Sequence, residues 1–213
     1  LHIFAPYSTV KVFNNELQGN SATSGAAIYV NGDRYWSGDL MLANNTIVYN
    51  KSEYRAAVTL LLFGSERAET SLRNNIFWGN LNEDAGARDI WISNDLDNDF
   101  IPTPVVMLNN SFDHSDEGFF SIIPVSIDSS NMDSPDPFFF NAKRRDFRLT
   151  SVSPMINAGD PETPDLPETD ILGNPRIYDG IVDIGAYEWE GPDPEPPLDG
   201  ECLLDWAETE YPR

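Results

Sequence analysis

The feature that most constrains this chain is a repeat written in asparagine. Asn-Asn pairs stand at Asn14-Asn15, Asn44-Asn45, Asn74-Asn75 and Asn109-Asn110, so the second member recurs at steps of 30, 30 and 35 residues. A further asparagine follows the first three pairs five residues later, at Asn20, Asn50 and Asn80. Between the pairs lie short β-branched and aromatic runs, at 25–30 (GAAIYV), 56–63 (AAVTLLLF), 87–92 (ARDIWI) and 118–123 (GFFSII). Such runs, bounded by Gly, Asn, Asp and Ser, are strands, and no 3.6-residue apolar period precedes the C-terminal tail.

A period of about 30 residues holding two or three short strands with turns between them describes a solenoid coil, and solenoids stack identical coils about 4.8 Å apart. The predicted fold is all-β, a right-handed parallel β-helix with a C-terminal cap. The asparagines fit a sharp bend between strands, because Asn is the non-glycine residue that best tolerates the left-handed region. Stacked Asn amides also bond to one another, so Asn15, Asn45, Asn75 and Asn110 are predicted to form a ladder that satisfies polar atoms at a buried corner. Three sequons, Asn44-Asn45-Thr46, Asn50-Lys51-Ser52 and Asn109-Asn110-Ser111, occur here, and the first and third coincide with the ladder. The 35-residue step implies about five inserted residues, which the turn-rich segment 95–104 (DLDNDFIPTP) would hold.

Charge narrows the partners. With 35 acidic against 13 basic residues the formal net charge is −22, which repels nucleic acid phosphates and anionic membranes. The one cysteine, Cys202, excludes an intrachain disulfide framework. No run of 18 apolar residues occurs, so no transmembrane helix is expected. Leu1 stands in what reads as mid-repeat sequence, and the expectation is a processed product or a fragment.

After the repeats come Asp133-Ser134-Pro135-Asp136-Pro137-Phe138-Phe139, then Asp146-Phe147-Arg148-Leu149 and Ser153-Pro154-Met155-Ile156-Asn157-Ala158-Gly159. The series closes with Asp170-Ile171-Leu172-Gly173-Asn174-Pro175-Arg176 and Val182-Asp183-Ile184-Gly185-Ala186-Tyr187-Glu188. In this order the five elements resemble the end of bacterial parallel β-helix proteins of the choice-of-anchor Q type. The resemblance implies an extracellular or cell-surface location in a bacterium, and it implies no reaction. The domain reading is coils over 1–130, a cap over 131–190, a Pro-rich acidic linker over 191–199 and a short helical tail over 200–213.

Chemistry is harder to read. Glycoside hydrolysis needs two carboxylates about 5–10 Å apart, and so acidic a chain offers such pairs anywhere. A lyase would need a basic proton abstractor, for which the strands supply only Arg55 and Arg88. His2 and His114 stand alone and make no triad or zinc site. Asp95, Asp97 and Asp99 alternate in one loop, a spacing that can converge on calcium, and Asp170, Asp179 and Asp183 form a second candidate set. Trp36, Trp78 and Trp91 are candidates for stacking against sugar rings.

The expected function is therefore an extracellular structural or adhesive module, with polysaccharide, another surface protein or copies of itself as partner. Calcium is the one cofactor considered. The alternative is a polysaccharide-active or carbohydrate-binding β-helix.

Overall fold

The computed structural model describes residues 1–4, 8–32, 38–62, 68–83, 86–94, 104–178 and 180–193. Within them the β-branched runs become strands, and each pairs in parallel with the strand one period later. The first sheet stacks Val10–Phe13, Leu40–Ala43, Thr70–Arg73, Val105–Leu108 and Val125–Ile127. The second stacks Glu16–Gln18, Thr46–Val48, Ile76–Trp78, Ser111–Phe112 and Met132–Asp133. The third stacks Ser21–Ala22, Lys51–Ser52 and Leu81–Asn82, to which Gly86–Ala87 adds antiparallel. The fourth stacks His2–Ile3, Ile28–Asn31, Val58–Leu61, Ile90–Ser93 and Phe119–Ser121. The chain visits the sheets in that order and then begins the next coil. The architecture is the all-β parallel solenoid that the asparagine period predicts.

Alternation sends every second side chain inward, and register stacks like positions into columns. One column runs Leu17, Ile47, Phe77 and Phe112, a second Val12, Leu42, Leu72 and Met107. Ile47, Phe77, Phe112, Leu42, Leu72 and Met107 are fully buried. Each such side chain contributes about 1.5–3 kcal/mol relative to exposure, so the columns supply the main stabilising term.

Register also locates the inserted residues. Leu81 pairs with Lys51 at a step of 30, but Ile90 pairs with Val58 at 32 and Val106 with Ser71 at 35. Two of the extra residues therefore enter before Ile90, where Gly86–Ala87 folds back on Leu81–Asn82. Only the other three fall between Ser93 and Val105, whereas the sequence reading put all five in 95–104. The following coil is short: Asn131 stands 21 residues after Asn110. The last rung thus reaches Asp133 in the solenoid itself.

Beyond the coils, Phe139–Asn141 pairs antiparallel with Asp146–Leu149 across the 3-10 turn Ala142–Arg144, the one helical turn among the described residues. Residues 150–190 then run back along the solenoid without extended strands. Their apolar side chains Met155 and Ile184 join Leu149 and the outward-facing Ile76 in a second core. Within the segment read as a cap, residues 158–183 lie along the corner between the first two sheets. The linker beyond 193 and the tail lie outside the described residues.

Candidate functional site: an asparagine corner and its strap

The two members of each Asn pair divide the labour. Asn14, Asn44, Asn74 and Asn109 adopt φ of 55°, 52°, 54° and 52°, the left-handed conformation that turns the chain from the first sheet into the second. A β-branched residue there would be strained. The second members stay on the inner side and stack. Asn45 Nδ2 donates to Asn75 Oδ1 at 2.9 Å and to the Val12 carbonyl at 2.8 Å. Its own Oδ1 accepts from the backbone N–H and Nδ2 of Asn15, both at 3.0 Å. Two donors and two lone pairs are thereby filled in a fully buried amide. The same bonds join Asn75 to Asn110 and Asn110 to Asn131. The predicted ladder of Asn15, Asn45, Asn75 and Asn110 is present, with Asn131 as a further rung.

A parallel ladder runs through Asn20, Asn50 and Asn80. It ends on a carboxylate: Asn80 Nδ2 donates to Asp89 Oδ1 at 2.9 Å, and the Asp113 N–H donates to Asp89 Oδ2 at 2.9 Å. Burial raises the Asp89 carboxyl to about 6, against the pull of its two donors. Asn44 and Asn50, the asparagines of two sequons, are fully buried.

The left-handed asparagines point outward and hold the C-terminal segment as a strap. Asn109 Nδ2 donates to the Ala158 carbonyl at 2.9 Å. Asn74 Nδ2 donates to the Asp160 carbonyl at 3.1 Å, and its Oδ1 accepts from the Asp160 N–H at 2.8 Å. Asn44 donates to the Asp183 carbonyl at 3.3 Å and Asn14 to the Thr169 carbonyl at 2.6 Å. The strap thus touches every Asn pair of the solenoid. Ion pairs flank it, Arg73 with Asp160 at 3.0 Å and Lys11 with Asp165 at 2.8 Å. Gly185 brings the strap closest: its N–H donates to the Asn74 carbonyl at 2.8 Å, and a Cβ there would stand 2.6 Å from Ile76 Cδ1. Its φ of 105° is also a glycine conformation.

Arg176 is the clasp. It is fully buried. Its guanidinium donates to Glu188 Oε1 at 2.8 Å, to the carbonyls of Gly185 at 3.1 Å and Ala186 at 3.0 Å, and to Asn14 Oδ1 at 2.5 Å. Burial lowers its proton affinity, and the carboxylates of Glu188, Asp170 and Asp183 oppose that. Glu188 is pushed up to about 8, first by burial and then by the neighbouring Asp183. Asp183 is raised by burial as well. A guanidinium facing several buried carboxylates is a structural ion cluster, costly to break from one side.

The candidate site residues fare differently. Asp170 accepts N–H groups from Leu172, Asn174 and Glu188 at 2.8–3.0 Å, and Asp183 accepts from Asn157 at 2.7 Å and Trp189 at 2.6 Å. Their oxygens serve the strap and the field of Arg176. Among the described residues no group of three or more His, Cys, Asp or Glu could hold a metal ion. Asp95, Asp97, Asp99, Asp179 and Trp36 lie outside the described residues. Trp78 packs half-buried on the core beneath the strap rather than on an open face. Trp91 does face outward on the fourth sheet, stacked on Phe120 at 3.9 Å with the Arg88 guanidinium 5.5 Å from its ring. His114 packs on Phe112 and His2 on Tyr29. Sequence reasoning missed Arg176 and Glu188 as a pair, although both stand in the closing motifs, at 170–176 and 182–188.

In comparisons with known proteins, no family model, no curated protein and no solved structure matches the chain.

Proposed function

We propose that the chain is an extracellular or cell-surface structural module, a stiff β-solenoid rod that presents or spaces other parts of a surface protein. The observation that carries this reading is the strap. A single segment hydrogen-bonded to four successive coil corners, at Asn109, Asn74, Asn44 and Asn14, resists bending and coil-by-coil peeling. The motif order over 133–188, with its resemblance to choice-of-anchor Q proteins, supports the location. So does an acidic surface, which keeps a secreted rod soluble.

The test is single-molecule pulling from the two ends. A strapped rod opens in one cooperative event, and Arg176→Ala converts it to stepwise loss of coils at lower force. Stepwise opening at the same force in both proteins contradicts the reading.

The stacked pair of Trp91 and Phe120 on the outer face of the fourth sheet favours a second reading, an adhesive surface for polysaccharide. Saturable quenching of tryptophan fluorescence by neutral or acidic polysaccharides, abolished by Trp91→Ala, would establish it. No quenching leaves the rod alone.

A further inference from the structure

The two asparagine ladders end on different chemistry. The ladder of Asn15, Asn45, Asn75 and Asn110 closes on Asn131, whose donors go to backbone carbonyls. Its N–H and Nδ2 reach that of Asp128 at 3.1 and 2.7 Å, and Nδ2 also reaches that of Met107 at 2.8 Å. Those acceptors do not titrate. The ladder of Asn20, Asn50 and Asn80 closes instead on the buried carboxylate of Asp89.

Asp89 does there what an asparagine could not. Its Oδ1 accepts from Asn80 Nδ2 and its Oδ2 from the Asp113 N–H, each at 2.9 Å. An asparagine has one acceptor oxygen and would set its own Nδ2 hydrogens against the second donor. That second donor belongs to a particular piece of the chain. After Ser111–Phe112 the chain skips the third sheet and passes to Phe119–Ser121 through the turn 113–118. The turn closes on Ser115, whose carbonyl accepts the N–H groups of Gly118 and Phe119 and whose own N–H goes to Asp113 Oδ1. Two further N–H groups tie it to other coils, that of Asp113 to buried Asp89 and that of His114 to the exposed Asp133 at 3.1 Å.

The surroundings favour a proton on Asp89. Burial raises its carboxyl to about 6, and the like charge of Asp113 adds to that, against the two hydrogen bonds. Among the described residues around it, the rung at Asn80 and the strand Phe119–Ser121 bring no titratable side chain, and the segment 55–61 brings Arg55. The turn brings Asp113, His114, Asp116 and Glu117. Next to Asp89 in the chain stands Arg88, whose guanidinium lies 5.5 Å from the Trp91 ring.

We propose that Asp89 is a proton-controlled tether: ionised, it holds the turn 113–118 on the solenoid, and protonated, it lets the turn go. A protonated carboxyl keeps one full acceptor, while its hydroxyl oxygen acts first as a donor. One of the two N–H partners then loses its bond. Asn80 is fully buried and holds the Ile47 carbonyl through the same Nδ2 at 2.9 Å. Asp113 is half-buried, so water replaces its bond and the turn is the part that yields. Loss of the buried charge meanwhile stabilises the fold as a whole. A turn that loosens while the molecule gains stability is a signature that acid unfolding does not produce.

The test is amide exchange of the intact chain, read by NMR as protection factors, from about pH 8 down to about pH 5 across the Asp89 titration. The Asp113 amide should lose about tenfold or more of its protection, the range of one hydrogen bond, with the midpoint at which the Asp89 carboxyl carbon titrates. The Asn131 amide, held by a carbonyl, should keep its protection. Asp89→Asn should leave the Asp113 amide weakly protected at every pH, and His114→Gln should leave the parent midpoint in place. Protection of Asp113 that stays level while Asp89 titrates overturns the proposal. So does a midpoint that survives Asp89→Asn or vanishes in His114→Gln, because the titrating group would then lie in the turn. Joint loss of protection at Asp113 and in the core strands also overturns it, since the event would be unfolding and not release of a turn.

Discussion

The coils and the strap are two ways of building with the same asparagines. In the coils each side chain answers to residues one period away, as Asn45 answers to Asn15 and Asn75 at a separation of 30. In the strap the partners are remote: Asn74 meets Asp160 at a separation of 86 and Asn14 meets Arg176 at 162. Coils can therefore form by adding short loops to a growing stack, whereas the strap gains its contacts only once several coils exist to receive it. The difference teaches that a solenoid needs periodic order to form and aperiodic order to become a single cooperative body.

The largest effect expected is at the clasp. Arg176→Ala leaves Glu188, Asp183 and Asp170 buried without their cation, at a cost of about 3–5 kcal/mol. If strap and coils are one unit, the whole denaturation transition shifts; if the strap is a separate layer, only exchange of residues 155–189 quickens while the coils melt unchanged. Chemical denaturation and exchange mass spectrometry on the same variant separate these results.

Next in size is a pair of ladder truncations. Asn75→Ala orphans both Asn45 donors, the backbone N–H and Nδ2, within a buried corner, and takes one donor each from the Leu42 carbonyl and Asn110 Oδ1. Each orphaned buried group costs about 1–3 kcal/mol, so a total near 3 kcal/mol or more is expected. Asn15→Ala, at the partly exposed end of the same ladder, should cost about 1 kcal/mol. Equal costs at the two positions would show that the ladder is not a continuous buried chain.

The smallest effect expected is on pH dependence. In the folded chain Glu188 titrates at about 8 and Asp89 at about 6, against ordinary values of 4.5 and 3.8. The folded state thus holds protons that the unfolded chain has released. The stability this confers is complete below the ordinary values, and it is lost as pH rises through 6 at Asp89 and through 8 at Glu188. The thermal midpoint should fall between pH 5 and 8, and Glu188→Gln should flatten the upper part of that slope while Asp89, in the coils, keeps the lower part. A midpoint that rises over this range in the parent chain would contradict the assignment.

How much of this was legible in the sequence follows the same division. Periodic features announce themselves: Asn15, Asn45, Asn75 and Asn110 could be placed in a ladder because their spacing repeats. Asn131 could not, because it follows a short coil of 21 residues and is preceded by Ser130 instead of a second asparagine. Ser130 nevertheless takes over, its hydroxyl accepting the Asn109 N–H at 3.0 Å. The inserted residues were misplaced because a two-residue excess hidden in the Gly86–Ala87 fold-back leaves no mark in composition. Arg176 and Glu188 were invisible as partners for a physical reason. The two stand only 12 residues apart, but what buries them is the strap lying on the coil corner, where Arg176 meets Asn14 at a separation of 162, and no local pattern encodes that contact. Asp170 and Asp183 read as candidate cation ligands because carboxylates gathered in a turn-rich segment suit a positive charge, and in the structure the charge beside them is the Arg176 guanidinium.

The central claim is that the corner asparagines form a continuous, buried, fully bonded spine. Side-chain amide hydrogen exchange, followed by NMR at the Nδ2 groups of Asn45, Asn75 and Asn110, tests it most directly. The account predicts exchange as slow as that of the core strand amides, with Asn15 and Asn20 faster at the open end. Exchange at Asn45, Asn75 and Asn110 as rapid as at a surface asparagine would contradict it.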